Sequence, residues 1–477
     1  MLKSAMPLPS RVPVAVPEVL PAVMPQVPVV PEFLPAPPPV LVLPERLPAD
    51  LPPAGRAALA AALAGELPGR KCGGQGEPVR ESGPCRRDDA EIARLRGFLG
   101  QVTDLRSRQG RSYPMDYLLA LPLVAGMAGD GELDAVAEWT ATAPAELLLK
   151  LGAPLDKKGQ PRRPDATTIG RALGQGCDQD EYDQALCSWT GARARAMRPG
   201  MRKHLRIDGK AVKGAARRGH RAPMLLSGLW DDGTTAAQLV VNVKKTNEIT
   251  VAPRLLKKIP AGELEGAVIT ADQMHTQRRL ALLICGKLHA RYIFTIGGNQ
   301  PNLFAAADSL PWKSVAGEAW TVDRGHGRID VRTIKTLPAT DLIRKLFPHV
   351  EQVFLVERYT YAPDGTLLSA VAVLGITSLT AAEAGPDALL AYLRGHWSIE
   401  MHHYVRDVDF GEDASRTGRA HRAMAAVRNA VIGALHLQKI PNIAAQLRHN
   451  HRDPYRLPML LLGLMTPLDP NSNPAVT

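Results

Sequence analysis

Cysteine is scarce in this sequence, and its spacing argues against a metal-binding or disulfide module. The 477 residues include five cysteines, and no two of them form a Cys-x-x-Cys pair. An odd number of cysteines in a long chain fits a reducing compartment better than a disulfide framework. We therefore expect a cytoplasmic protein with Cys177, Cys187 and Cys285 as small core residues, and Cys72 and Cys85 in a linker.

Long apolar segments are also missing. The longest, at 118–128, is shorter than the roughly 20 residues that a membrane-spanning helix needs, and Pro122 interrupts it. The N-terminal region is apolar, but its closely spaced prolines are incompatible with the helical core of a signal peptide. We expect neither a membrane span nor secretion.

Acidic residues are outnumbered by basic ones. Asp and Glu total 47 against 58 Lys and Arg, and the resulting net charge of +11 favours an anionic partner, either nucleic acid or a membrane surface. The surplus belongs to the residues after the first 53, which themselves contain more acids than bases. At roughly 150 residues per domain, the length predicts about three domains.

Composition and periodicity divide the chain into five segments. Sixteen of the 41 prolines fall within the first 53 residues, and Gly, Pro and charged residues fill 68–90, which predicts an extended arm followed by a linker. Helical periodicity follows, then strands that alternate with helices, then strands alone, then helices. The predicted segments are a disordered arm and linker (1–90), a helical domain (91–200), the first part of an α/β domain (201–311), an antiparallel β-rich insertion (312–385), and a helical C-terminal part with a tail (386–477).

One stretch of the helical segment resembles a helix-turn-helix. In this interpretation Asp165 caps a short helix that exposes Thr167, Thr168 and Arg171 to DNA. A helical packing domain without base contacts explains the pattern equally well. Both interpretations stay open from the sequence.

Three acidic residues stand where secondary-structure elements are expected to expose them. Asp208 lies in the short strand LRIDGKAV just before Gly209, Asp272 ends the apolar run 267–271, and Glu400 lies in a long helical pattern. Two Asp and one Glu on separate elements suit Mg²⁺, and two such ions can activate water for phosphodiester cleavage. A turn Asp and a solvated helical Glu are the alternative. The helical stripe that contains Glu400 also includes His396, His403 and Asp407.

Six segments together resemble the DDE transposases of bacterial insertion sequences, in particular the branch that contains the H-repeat-associated proteins. The resemblance covers roughly residues 90–460 and is carried by IDGKAVKGA, KTNEITVAPRLL, VITADQMHTQ, GGNQPNL, HGRIDVRT and RGHWSIEMHHYVRDVDFGEDASR. It implies an α/β fold: an RNase H-like mixed-sheet catalytic domain with an antiparallel β-strand insertion between the second Asp and the Glu, preceded by an all-helical N-terminal domain. The C-terminal helices are then part of the catalytic domain.

The resemblance also implies roles for individual residues. Asp208, Asp272 and Glu400 are the implied catalytic residues and hold two Mg²⁺ ions, for which Mn²⁺ can substitute. Asn299 and Gln300 are expected close to this site. The residues expected to contact DNA, or in part to support the third acid, are His326, Arg328, Arg394, His396 and Trp397, together with Arg171 from the helix-turn-helix interpretation.

The implied activity is hydrolysis of a phosphodiester at each element end and strand transfer into target DNA, by a homodimer or larger assembly at the nucleoid. Some positions differ from the family pattern: Gly297-Gly298-Asn299-Gln300 stands for Lys-Gly-Asn-Gln, Met401 for Asn, and His402-His403-Tyr404 for Leu-His-Trp. The alternatives are a decayed or repurposed relative that binds DNA without cleaving it, and a nuclease without strand transfer. His402 and His403 project about 100° apart on a helix, which argues against a zinc site.

Overall fold

The computed structural model describes residues 51, 53–64, 90–197, 200, 203–216, 222–241 and 248–462. Most of the predicted proline-rich arm and linker, including Cys72 and Cys85, lies outside the described residues. Within them the chain forms helices and a mixed sheet, so the predicted α/β class is confirmed. No described helix has the length and apolar character needed to cross a membrane.

The region between residues 90 and 197 is mainly helical, with turns and two isolated β-bridges between its helices. The central helix of this region is buried along nearly its entire length, and it continues through Pro122 instead of ending there. Its neighbours enclose it in an apolar core, and this packing outweighs the backbone hydrogen bond that proline removes. The helices are α1 (Pro53–Leu63), α2 (Ala90–Leu99), the central α3 (Met115–Ala128), α4 (Leu133–Thr142), α5 (Ala145–Lys150), α6 (Ala166–Arg171) and α7 (Gln179–Met197).

Nine strands of the described chain form a single sheet in the order β3-β2-β1-β4-β5-β9-β8-β7-β6. β1, β4 and β5 are parallel to one another, and every other neighbouring pair is antiparallel. The strands are β1 (His204–Ala211), β2 (Met224–Trp230), β3 (Thr235–Val241), β4 (Val268–Ala271), β5 (Arg291–Thr295), β6 (Ala319–Gly325), β7 (Arg328–Pro338), β8 (Gln352–Tyr361) and β9 (Leu367–Thr377).

We call β3, β2, β1, β4 and β5 the mixed half of the sheet, and β9, β8, β7 and β6 the antiparallel half. The predicted insertion corresponds to the antiparallel half, and it extends the same sheet because β9 pairs with β5. The remaining helices are α8 (Glu248–Lys258), α9 (Ala261–Leu264), α10 (Arg278–Gly286), α11 (Pro301–Asp308), α12 (Asp341–Leu346), α13 (Pro386–His396), α14 (Ser398–Tyr404), α15 (His421–Leu437), α16 (Ile443–Asn450) and α17 (Arg456–Leu461).

The two faces of the sheet pack against different helices. α8, α10, α11 and α12 share an apolar core with one face, which includes Leu205 and Ile207 of β1. α13 covers the other face and packs on Val268 of β4. Because side chains alternate along a strand, Arg206, Asp208 and Lys210 project from β1 on the α13 side.

Two helical segments pack differently from the sequence-based expectation. Residues 53–63 were predicted as part of a disordered arm but form α1, whose Leu59 and Ala62 pack on Ile329 and Tyr361 of the antiparallel half. An alanine-rich segment forms a helix readily once a surface covers its apolar face. The C-terminal helices α15 and α16 were assigned to the α/β domain, but their apolar residues share a core with α2–α7. The chain therefore returns to its N-terminal helices after completing the sheet.

Candidate active site

Asp208 lies on β1, and Asp272 directly follows the neighbouring parallel strand β4. β1 and β4 pair as far as Ile207 and Ala271, and the two aspartates are the next residues. Adjacent strands lie about 4.8 Å apart and residues in register project from the same face, so both carboxylates are on the α13 side. Asp208 lies inside its strand, because β1 continues to Ala211 in register with β2.

A helical segment crosses above these two aspartates. α13 packs on β4 and α14 packs on β1. His396, at the end of α13, has its Nε2 3.4 Å from Asp272 Oδ1, and His403 on α14 has its Nδ1 3.4 Å from Asp208 Oδ2. Glu400 lies between the two histidines in the chain, about one helical turn from each. The predicted polar stripe is therefore directed at the two aspartates at both of its ends.

The three predicted catalytic carboxylates differ in exposure. Glu400 is exposed on α14, the side chain of Asp272 is 60% exposed, and that of Asp208 is 18% exposed. Among the described residues, no group of three or more His, Cys, Asp and Glu side chains is arranged to hold a metal ion. In the structure the two aspartates are therefore neighbours, and Glu400 lies on the helix that crosses them. The three carboxylates do not converge on a common point.

A hydrogen-bonded chain orients His396. The hydroxyl of Thr270 on β4 lies 2.8 Å from His204 Nε2 and 2.9 Å from His396 Nδ1. Burial lowers the pKa of His204 to about 2, so this imidazole is neutral. One arrangement satisfies every contact: His204 donates to Thr270, Thr270 donates to His396 Nδ1, and His396 donates from Nε2 to Asp272.

The contact with His396 also affects the charge of Asp272. The hydrogen bond from His396 holds the pKa of the Asp272 carboxyl below its ordinary value, although burial raises it. Asp272 is consequently ionised throughout the neutral range. An ionised, oriented and solvent-accessible carboxylate is suited to binding a divalent cation.

Asn299 and Gln300 support the loop that follows Asp272. The Asn299 amide donates to the carbonyl of Gln273 at 2.9 Å, and the Gln300 amide donates to the carbonyl of Thr276 at 2.9 Å. A Cβ added at Gly297 would lie 1.8 Å from the Gln273 side chain, which fills the space beside this glycine. These residues therefore lie beside the second aspartate and hold its loop through backbone contacts.

Two of the arginines predicted to contact DNA already have acidic partners. Arg394 Nη2 lies 2.7 Å from Asp323 Oδ2, and Arg328 Nε lies 3.3 Å from Asp330 Oδ2. His326 lies at the turn between β6 and β7, where its φ is 50°. Contacts of these residues with DNA stay a prediction. The ion pairs give both arginines a structural role at the antiparallel half.

Trp397 links α13 and α14 at the surface. Its side chain is 44% exposed, and its ring lies 5.4 Å from the Arg332 guanidinium and 5.1 Å from that of Arg358. An exposed aromatic ring beside two guanidinium groups forms a surface on which a base or sugar can stack.

The helix-turn-helix interpretation is supported at one point and untested at the others. Asp165 caps α6, because its side chain accepts a hydrogen bond from the Thr168 backbone amide at 2.6 Å. Thr167 and Arg171 are exposed on this helix, as predicted, and Thr168 is half-buried. The cap fits both a DNA-binding helix and a packing helix, so the role of Arg171 stays a prediction.

The two adjacent histidines have different partners. His402 is buried, and its Nε2 lies 2.9 Å from the Asn429 side-chain oxygen. Burial holds the pKa of His402 well below its ordinary value. His403 instead contacts Asp208. The pair therefore does not converge on a common point.

A buried group of charged residues beside the site was missed in the sequence. Glu412 is in contact with Arg406 and Arg428, and Lys210 lies close to it. Lys210 follows Asp208 by two residues, and Arg406 and Glu412 follow Glu400 closely. Only their closeness in sequence to the predicted carboxylates could have indicated a connection.

The comparison with known families adds evidence from the helical region. A family model described as DDE_Tnp_1-associated matches residues 97–190, which extend from the end of α2 into α7. The match points to the DDE transposases. It covers about a fifth of this transposase-related chain and ends before β1, so it does not include the three carboxylates. No curated protein matches the sequence.

Proposed function

We propose that this chain is a DDE transposase of an insertion sequence, from the branch that contains the H-repeat-associated proteins. It would hydrolyse a phosphodiester at each end of the element and join the freed 3′ hydroxyl to target DNA. The observation that carries the proposal is the register of β1 and β4, which places Asp208 beside Asp272 under the helix that carries Glu400.

The topology of the mixed half supports an RNase H-like catalytic domain. Three consecutive antiparallel strands, β1 to β3, are followed by β4 and β5, which join the sheet parallel to β1 on its other side. The parallel pairing of β1 with β4 ends immediately before Asp208 and Asp272. In open α/β sheets, ligands bind at the carboxyl ends of the strands.

The donor set fits a hard divalent cation. Asp208 offers carboxylate oxygens from β1 and Asp272 offers them from the residue after β4, and the exposed Glu400 on α14 is the proposed third oxygen donor. Bound Mg²⁺ lowers the pKa of a water and stabilises the charge on the leaving oxygen. His396 keeps Asp272 ionised and oriented, and His403 contacts Asp208.

DNA is the proposed partner, and a homodimer or larger assembly on DNA is the proposed working form. A net charge of +11 supports binding of a polyanion. Trp397 and the arginines beside it offer a stacking surface near Asp272. Two element ends have to be cut in a coordinated way, which two copies of the chain would accomplish.

A DNA-binding relative that does not cleave is the second candidate. It is favoured by the position of Glu400, which is exposed and does not form a metal-holding group with the two aspartates among the described residues. The candidates agree on DNA binding and differ only in catalysis.

Cleavage of DNA fragments that include the sequences on both sides of the coding region separates the two candidates. With Mg²⁺, the transposase is expected to release 3′ hydroxyl ends and then produce joined strands, whereas D208N, D272N and E400Q should bind the same DNA without cutting it. Asp323→Asn is the matched control, since this aspartate is paired with arginines. Binding without cleavage by the unaltered chain would favour the second candidate, and cleavage by D272N would refute the assignment of the acids.

A further inference from the structure

Glu412 is a fully buried carboxylate among three cations. Its Oε1 accepts hydrogen bonds from Arg406 Nη2 at 2.8 Å and from Arg428 Nη1 at 3.2 Å, and its Oε2 lies 3.7 Å from Lys210 Nζ. The side chains of all three cations are also buried. Burial raises the pKa of Glu412, but Arg406 and the other cations lower it further, so the group is ionised.

The three cations come from three different parts of the fold. Lys210 lies on β1, on the same face as Asp208 and two residues after it. Arg406 follows α14 directly in the short π-helical turn at 405–409. Arg428 lies on α15 and donates to the carbonyl of Gly131, between α3 and α4, at 2.6 Å. Glu412 therefore joins β1, the end of α14 and the helical core.

Two contacts fix α14 along β1. His403 lies over Asp208, and four residues later Asp407 accepts a 2.5 Å hydrogen bond from Lys210. Four helical residues rise about 6 Å and two strand residues rise about 6.6 Å, so successive turns of this segment match successive outward positions of β1. A shift of Lys210 or of the turn at 405–409 would move Glu400 relative to the aspartates.

We propose that Glu412 is a positioning residue that, through Lys210 and Arg406, fixes the place of α14 and thus of Glu400 over Asp208 and Asp272. That this position matters for catalysis rests on the proposed function. Glu412 acts through α14 and does not contact the reacting atoms. A buried ion cluster is often no more stabilising than apolar residues of the same volume, so its value here is the orientation that it imposes on α14.

The first test measures the mobility of α14 by hydrogen–deuterium exchange of the full chain, comparing Glu412→Gln with Glu357→Gln. Glu357 is a matched control because it is buried in β8 and accepts a hydrogen bond from Thr333. The E412Q variant should exchange the amides of 398–409 about tenfold faster than the unaltered chain, while β4 and β5 stay unchanged. E357Q should leave 398–409 unchanged.

The second test measures Mn²⁺ affinity by calorimetry in a double-mutant cycle. Loss of a positioning contact next to a metal site typically weakens metal binding about tenfold or more, so E412Q should bind Mn²⁺ about tenfold more weakly. Because Glu412 acts through Glu400, E412Q should have little additional effect in the E400Q background. Independent, multiplying effects of the two substitutions would overturn the proposal, as would unchanged exchange of α14 in folded E412Q.

A second variant covers the case in which E412Q does not fold. Asp407→Asn removes the contact with Lys210 while Glu412 stays beside the three cations, and the same exchange and Mn²⁺ criteria apply to it. If the unaltered chain takes up no Mn²⁺ at all, the proposed function fails. The exchange experiment then still decides whether Glu412 fixes α14.

Discussion

Aspartates in the two halves of the sheet have opposite kinds of partner. In the antiparallel half, Asp323 contacts Arg332 at 3.0 Å and Arg394 at 2.7 Å. In the mixed half, Asp208 and Asp272 lie beside each other, and the partners described for them are His403 and His396, each at 3.4 Å. Both halves are strands of one sheet covered by α13, so the difference lies in the side chains and not in the fold.

Under the proposed function, this difference distinguishes structural from metal-binding carboxylates. An arginine beside an aspartate balances its charge and uses its oxygens, whereas a histidine that contacts one oxygen orients the aspartate and leaves the other oxygen available. Carboxylates without arginine partners keep oxygens available for a divalent cation. We therefore expect the mixed half to bind a cation, whereas arginines already balance Asp323 in the antiparallel half.

The largest expected effect is on DNA cleavage. Asp272→Asn should reduce Mg²⁺-dependent cleavage of element-end DNA by about a thousandfold or more, because a metal contributes several kcal/mol of transition-state stabilisation. Asp323→Asn should reduce it much less, because this aspartate balances arginines. Single-turnover cleavage rates measure both variants. Equal losses of cleavage rate in the two variants would show that the different partners of Asp272 and Asp323 do not affect catalysis.

Asp183, a buried aspartate in contact with the mixed half, tests whether burial or hydrogen-bond partners determine the charge of an aspartate. Asp183 on α7 accepts the backbone amide of Gln238 on β3, and burial raises its pKa to about 6. The folded chain keeps this proton between about pH 4 and 6 whereas the unfolded chain releases it, so the folded state loses up to about 3 kcal/mol as pH rises through that interval. Above pH 6 the loss is complete.

Asp183→Asn should remove this pH dependence. The stability of the variant relative to the unaltered chain should therefore increase between pH 4 and 6 and then stay constant, as measured by urea unfolding at each pH. Parallel stability curves for the two proteins would show that Asp183 is ionised in the folded state and that burial has not overcome its charge.

The next effect is on stability, where Asp323→Asn should be more damaging than Asp272→Asn, the reverse of the order expected for cleavage. Asp323→Asn should lower the unfolding free energy by about 1–2 kcal/mol, because Arg332 and Arg394 lose a charged partner in a half-buried position. Asp272→Asn should cost less, because it loses only the weak contact with His396 at 3.4 Å and its side chain is 60% exposed. Thermal unfolding without metal compares them, and a more damaging D272N would contradict the comparison.

The sequence predicts the parts of the site that depend on local pattern. The apolar run before Asp272 predicts a buried strand, and the spacing of His396, Glu400 and His403 predicts one helical stripe; the structure has both. The Asp165 cap was likewise predictable from the residue type before a short helix. The segment LRIDGKAV also predicts a strand that includes Asp208, and β1 extends from His204 to Ala211.

Long-range pairing explains what the sequence could not predict. Arg394 and Asp323 are 71 residues apart, and Lys210 and Asp407 are 197 residues apart, so their spacing carries no signal. Charged residues are expected in solvent, and the burial of Glu412 and Arg406 depends on elements that meet only in the folded chain. The packing of α15 with α3 and α7 depends on tertiary contacts in the same way.

The smallest expected effect separates the two arginines that the sequence assigned to DNA. Arg328 is about half exposed and its nearest contact with Asp330 is 3.3 Å, whereas Arg394 is more buried and lies 2.7 Å from Asp323. Arg328→Gln should weaken DNA binding a few-fold and reduce the slope of log K against log salt by about 1, as expected for one lost phosphate contact. Arg394→Gln should instead lower stability and leave that slope unchanged, since its charge is already balanced by Asp323. Fluorescence anisotropy over a salt series, with thermal unfolding of both variants, decides the point; an unchanged slope for R328Q would place both arginines among the structural ion pairs of the antiparallel half.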